Sequence, residues 1–311
     1  MRHHTTCLVC NSGIVGRKER YQHAYLVKCA GCGFIFCSRI PAENELCEHY
    51  RVYSYDKQEQ VSPITVERYH ELLDEFEQYR KNNLLLDVGC GAGFFLEEAI
   101  KRGWKAYGTE LSDAAVKVCS QKGIPVVQGG LDPVEFDDTG FDVIFSSEVI
   151  EHINNPSGEL PNIYKLLRDG GLYYVTTPNF NGLLRYYLKE KYKIIEYPEH
   201  LSYYTPKTLH FLLSRNGLQK KRLYTSGISL SMLRMGAAES EEQVDYARSA
   251  DEDLRIKIEK RWYMKWVKRV LNFFFRVTGT GATIKAYYLK PAQIKADCRQ
   301  PLGMRHRAQS G

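Results

Sequence analysis

Residues 84–95, LLLDVGCGAGFF, join an unbroken apolar run to an acid and then to three glycines, Gly89, Gly91 and Gly93, within five positions. A continuous apolar run marks a strand buried on both faces, as parallel sheets require. FFLEEAIKRGW then follows a helical pattern that closes at Gly103, and KAYGTE returns as a second strand, giving a β-α-β unit. The glycines let the backbone pass close beneath a ligand at the amino end of that helix. A dinucleotide loop would be spaced G-x-G-x-x-G, and a P-loop would continue into Gly-Lys-Ser/Thr; neither occurs here. Asp87, two residues before the first glycine, would repel a pyrophosphate and suits a ligand that carries an amino group.

With that loop in view, LDVGCGAG resembles the first motif of the class I S-adenosylmethionine-dependent methyltransferases. The resemblance runs over about residues 65 to 225 and returns at GATIKAYYLKP. It implies an α/β fold, a doubly wound seven-stranded Rossmann-like sheet, with S-adenosylmethionine as cofactor. It also implies residue roles: Gly89, Gly91 and Gly93 under the methionine end, Asp87 beside the amino group, and Glu110 on the ribose hydroxyls. Leu131 and Asp132 would flank the adenine, Ser147 and Glu148 in the EVIEH turn would line the cofactor, and His152 would lie near the transferred methyl. A carboxylate can accept from two vicinal hydroxyls at once, so Glu110 suits its role.

The N-terminus carries a second pattern. Cys7 and Cys10 form one C-x2-C pair, Cys29 and Cys32 another, with 18 residues between. Four thiolates on two knuckles complete a closed tetrahedral Zn²⁺ shell, a structural site with no open position. About 40 residues cannot bury enough apolar area to fold alone, so metal binding would supply part of the folding free energy. His3 and His4 belong to a loose terminus on this reading. The remaining cysteines are scattered, and the chain begins with no apolar signal core and contains no spanning apolar run, so a reducing, cytoplasmic setting is expected.

The expected organisation is a zinc-ribbon module and connector at 1–55, a methyltransferase domain at 56–295 with an inserted amphipathic region at about 227–279, and a disordered tail at 296–311. Residues 179–213 connect the fifth strand to the next helix and are rich in tyrosine and histidine. Connections this long are usually functional. Within them PEHLSYYTP resembles a segment of a methyltransferase subgroup, many with an N-terminal zinc ribbon, that modifies sugars or polysaccharides. The resemblance puts His200 at the active site as general base, with Glu199 to orient it and Tyr203 or Tyr204 to stack on an acceptor; a capping and packing role for the segment is the competing reading. The net charge of +6 is too mild to announce a nucleic-acid protein. Basic residues gather in EKRWYMKWVKRVLNFFFRV, where Trp262, Trp266, Val270, Phe273, Phe274 and Val277 fall on one half of a helix and Lys265, Lys268, Arg269 and Arg276 on the other. Such a helix either packs on the fold or makes peripheral membrane contact through residues 260–277, at the inner membrane face. The expected reaction is methyl transfer to a small-molecule or sugar acceptor, at oxygen. An RNA or protein methyltransferase recruited through the ribbon and basic helix, and a noncatalytic binding module, are the alternatives.

Overall fold

The computed structural model describes residues 2–42, 45–46, 61–136, 140–227 and 261–292. The expected domain boundary near residue 55, the first part of the inserted region, and the tail at 296–311 lie outside them.

The chain opens with β1 (Arg2–His3), β2 (Ile14–Arg17), β3 (Leu26–Cys29), β4 (Ile35–Cys37) and β5 (Arg39–Ile40). β2, β3 and β4 form an antiparallel meander, and β1 pairs with β5. That pairing, with the His4 amide on the Ser38 carbonyl and the His4 ring on Asn154, ties down a terminus that the sequence alone suggests is loose.

Ser62 caps α1 (Pro63–Phe76), with proline at its first position. Then follow β6 (Leu84–Val88), α2 (Phe94–Lys101), β7 (Lys105–Glu110), α3 (Asp113–Gln121), β8 (Val126–Gln128), β9 (Phe141–Ser147), α4 (Pro156–Leu166), β10 (Leu167–Pro178), α5 (Leu183–Leu188), β11 (Ser202–Tyr203), α6 (Pro206–Arg215), β12 (Gln219–Ser226), α7 (Trp262–Thr278) and β13 (Thr283–Leu289). Seven strands make one sheet in the order β12-β13-β10-β9-β6-β7-β8. β8, β7, β6, β9 and β10 run parallel, whereas β13 lies antiparallel between β10 and β12. All five residues of β6 are buried, as its unbroken apolar run predicts. The strand order reverses between β6 and β9, and ligands of open α/β sheets bind at the carboxyl ends of strands beside such a reversal.

The cysteine-bearing region does not stand apart. β11, from the long connection after β10, pairs with β4 through Ser202–Phe36 and Tyr203–Ile35 and completes the N-terminal sheet. Cys7, Cys29, Phe34 and Phe36 share one apolar core with Leu86, Ile144, Val175 and Tyr204.

Helix α7 meets the fold along a narrow line. Phe275 alone among its described side chains is buried, and its carbonyl accepts from the Thr225 hydroxyl at 2.6 Å. The aromatic half of the helix faces away from the sheet, so packing accounts for little of its apolar surface.

Candidate active site

Beyond β6 the loop turns on Gly89, Gly91 and Gly93, which all have positive φ. A side chain at Gly93 would meet Cys119 Sγ and Ile124 Cδ1 at 2.9 Å, and one at Gly89 would meet Val149 at 2.6 Å. The loop is therefore pressed against its supports with no room for a Cβ. Gly89 and Cys90 both donate their amides to the Thr109 carbonyl. Glu110, at the end of β7, accepts from Gly91 N at 2.8 Å through Oε2, and from Leu111 N and Ser112 N at 2.8 and 2.9 Å through Oε1. A carboxylate has about four acceptor positions, so one remains, on Oε2. Glu110 braces the loop and keeps a single position for a ligand hydroxyl.

A cleft of about 190 Å³ opens above the loop, lined by Tyr69, Asp87, Gly89, Phe94, Phe95, Phe145 and Ser147. Burial, reinforced by the nearby Glu110 and Cys119, holds the Asp87 carboxyl well above the usual carboxylate range. An arriving ammonium group would lower it again, which matches a carboxylate kept for a cationic partner. Tyr69 projects from α1 and packs edge-on against Phe95; burial and Asp87 push its phenol up to about 12. Neither Tyr69 nor the three phenylalanines stands out in the sequence, because aromatic residues of a core and of a cleft wall look alike there. Leu131 is in the core and its carbonyl accepts from Asn162, while the Asp132 carboxylate caps the short turn after it through Val134 N at 3.0 Å. Both lie off the cleft lining.

Ser147 ends β9, and its hydroxyl meets that of Thr176 at 2.9 Å; the same Thr176 hydroxyl donates to Glu148 Oε1 at 2.8 Å. Glu148 sits at φ 55°, a left-handed conformation that costs a non-glycine residue about 1 kcal/mol. Desolvation raises its carboxyl to about 6, although the side chain opens onto solvent, which tempers the effect. Glu151, three residues on, is buried and its carboxyl is held well above the usual range by desolvation, then by Glu148. Thr177 donates to its Oε2, while Oε1 has no protein partner. A cavity of about 10 Å³, room for one water, adjoins Glu151, Asn179, His200 and Ser202.

His152 and His200, predicted to be catalytic, come together with ring centroids 4.7 Å apart. His152 Nδ1 lies 2.6 Å from the Glu199 carbonyl and His200 Nδ1 2.6 Å from the Ile194 carbonyl. A carbonyl only accepts, so each neutral ring carries its proton on Nδ1 and keeps a lone pair on Nε2. The Ile194 carbonyl fixes the His200 ring through Nδ1. Tyr203 and Tyr204 are buried, with hydroxyls donating to the His200 and Ile150 carbonyls, so neither is an acceptor platform. Glu151, His152 and His200 each offer a ligand atom within 4.8 Å of the others, a spacing that a metal ion would also accept.

The four predicted cysteines also gather. Their sulfurs lie within 4.8 Å of one another, with Cys7–Cys32 at 3.6 Å and Cys10–Cys29 at 3.3 Å. A tetrahedral shell with Zn–S bonds of about 2.3 Å has edges of about 3.8 Å, so the cluster is near that size. The Val9 and Cys32 amides point at Cys7 and Cys29 sulfurs, each at 3.4 Å, as thiolates on knuckles require. The seven described cysteines are free thiols.

A family described as a methyltransferase domain matches residues 55–222, over half of the chain. The chain belongs to this methyltransferase family. Its domain is of the class I S-adenosylmethionine-dependent type, with the Rossmann-like mixed sheet of seven strands. The ubiquinone biosynthesis O-methyltransferase of Rhizobium etli is 31% identical over 101 residues, 30% of this chain and 41% of that protein. The protein of the same description from Paramagnetospirillum magneticum is 34% identical over 100 residues, again 30% of this chain and 40% of the relative. The chain thus spans about two fifths of the curated relatives it matches. Among solved structures, an S-adenosylmethionine-dependent methyltransferase from Archaeoglobus fulgidus superposes with a TM-score of 0.48 at 21% identity, over 80% of this chain and all of that one.

Proposed function

We propose that this methyltransferase methylates an oxygen of a small-molecule or sugar acceptor, with His200 as general base. One observation carries the reading: two imidazoles with their Nδ1 atoms fixed by backbone carbonyls stand where β9 and β10 end, on the same sheet edge as the glycine-loop cleft. S-adenosylmethionine supplies an electrophilic methyl on a sulfonium. Asp87 receives its amino group, the turn Gly89–Gly93 lies beneath its methionine end, and Glu110 takes one ribose hydroxyl on the remaining Oε2 position. Ser147 and Glu148 border the transferred methyl; Leu131 and Asp132, off the cleft lining, lie past its edge on the turn after β8, where the adenine would extend. As the methyl passed from sulfur to the acceptor oxygen, breaking the sulfur–methyl bond and leaving a neutral thioether, His200 Nε2 would take the acceptor's hydroxyl proton, and His152 beside it would hold the acceptor. The names of the curated relatives, which are O-methyltransferases, agree with oxygen as the target. Cys7, Cys10, Cys29 and Cys32 hold a structural Zn²⁺ in the cytoplasm, where reduced thiols persist.

The test is turnover against a panel of phenols, sugars and amines, read by release of the demethylated cofactor. His200→Ala should lower kcat by about 10²- to 10⁴-fold for a hydroxyl acceptor and leave cofactor affinity unchanged. Retained turnover would make His200 structural. Activity confined to amines would replace oxygen with nitrogen as the target.

A further inference from the structure

Of the described elements, α7 carries the most exposed apolar surface. Taking Phe275 as its inward point and 100° per residue, Trp262, Trp266, Val270, Phe273 and Val277 align on the opposite side. They are exposed, Trp262 to 81% and Phe273 to 70%. Lys265, Arg269 and Arg276 run along one flank of this stripe, and from 260 to 282 the sequence has six Lys or Arg and no Asp or Glu. No described helix is long and apolar enough to cross a membrane.

We infer that α7 is an interfacial anchor that lays its tryptophan and phenylalanine stripe into an anionic membrane surface. Charge complementarity selects this occupant. Indole rings settle at the headgroup level, and a basic flank faces acidic lipid, the composition of helices that lie in the plane of a membrane. The chain's own stretch 239–253 has seven acidic residues, but Val244 and Tyr246 are its only large apolar side chains, too few to cover the stripe. A second exposed apolar group begins beside the end of α7. The amide of Leu183, which begins α5, donates to Thr280 O just past the end of α7, and Leu183, Tyr186 and Tyr187 of α5 are exposed. Buried Asn179 donates to the Gly279 and Gly281 carbonyls and also borders the cavity beside His200. The anchor is therefore fastened to the rim of the candidate active site, and the membrane lies on that side of the molecule.

The full-length protein, sedimented with phosphatidylcholine vesicles with and without phosphatidylglycerol, tests this. Binding should require phosphatidylglycerol and fall with added salt. The outward-facing variant W262S/W266S/F273S should bind at least tenfold less, while its urea midpoint and cofactor affinity hold. The charge variant K265E/R269E, which leaves the apolar stripe in place, should weaken binding about tenfold or more. Equal binding to both vesicles, or none, overturns the inference. So does a dimer in light scattering that the triple variant dissociates, since a second copy would then cover the stripe. Shielding of Trp262 and Trp266 from acrylamide in the vesicle-free monomer, read as the difference from the triple variant that keeps only the buried Trp104, also overturns it, because the acidic stretch would then be the cover.

Discussion

Replacing Glu110 by alanine takes one carboxylate from three amide donors: Gly91, Leu111 and Ser112. Hydrogen bonds to a charged group contribute about 1.5 to 3 kcal/mol each, but the three losses do not add. Leu111 is exposed and Ser112 half-buried, so water replaces much of what they lose. Gly91 sits in the pressed glycine turn, and its amide loses one of three contacts that hold the turn against β7, the Gly89 and Cys90 bonds to the Thr109 carbonyl remaining. The negative charge also faces the start of α3, a favourable position near a helix amino end. The variant should lose about 2 to 3 kcal/mol in the absence of any cofactor, moving the urea midpoint down by about 1 M. Equilibrium urea unfolding, followed by circular dichroism on the cofactor-free protein, reads this directly. Titration calorimetry of the folded variant should add a loss of about 1 to 3 kcal/mol in cofactor binding, from the single free Oε2 position. If the cofactor-free midpoint stays where it was, Glu110 does not brace the loop and the reasoning fails.

Gly93→Ala should destabilise by about 1 to 3 kcal/mol and weaken cofactor binding, because its new Cβ meets Cys119 and Ile124; a neutral result in the same unfolding assay would mean the loop yields easily. Glu159, whose carboxyl burial pushes up to about 7 from an ordinary 4.5, holds a proton in the folded state that the unfolded chain has already released over that interval. The unfolded state binds fewer protons there, so stability falls as pH rises from 4.5 to 7. Glu159→Gln should flatten that part of the pH–stability curve and stabilise the protein by about 2 kcal/mol at pH 7, measured by urea midpoints at several pH values. Stripping metal from the cysteines should speed hydrogen exchange at Ser202 and Tyr203, which border β4, and lower acceptor turnover before cofactor binding; unchanged exchange would detach the cluster from the site.

The sheet was legible because its strands announce themselves locally. LLLDV has no polar break, and the glycine spacing admits one loop and excludes two others. The capping of α6 by Thr205, with Pro206 behind it, was equally readable, since that signal spans four residues. β11 was not, because two residues carry no period and their pairing with β4 joins positions more than 160 apart in sequence. For the same reason Tyr203 and Tyr204 looked like acceptor platforms: a tyrosine sequence cannot say that the hydroxyl will be spent on a nearby carbonyl. His152 and His200 could be singled out by chemistry, but their approach and the carbonyls that set their tautomers depend on the folded connection. On α7 the two faces could be drawn on a wheel, yet which one turns inward is decided by Phe275 meeting β12.

The borrowed strand also bears on how the chain is made. The N-terminal sheet leaves the ribosome lacking its edge at β4, and Ser202 and Tyr203 follow only after about 165 more residues, roughly 10 to 30 s at ordinary synthesis rates. For that interval Ile35 and Phe36 present an apolar, unpaired strand edge to the surroundings. Metal capture by the cysteines in this window would hold the nascent sheet in shape until its last strand arrives. A cell short of zinc should therefore lose this protein during synthesis, as aggregate, more than after folding.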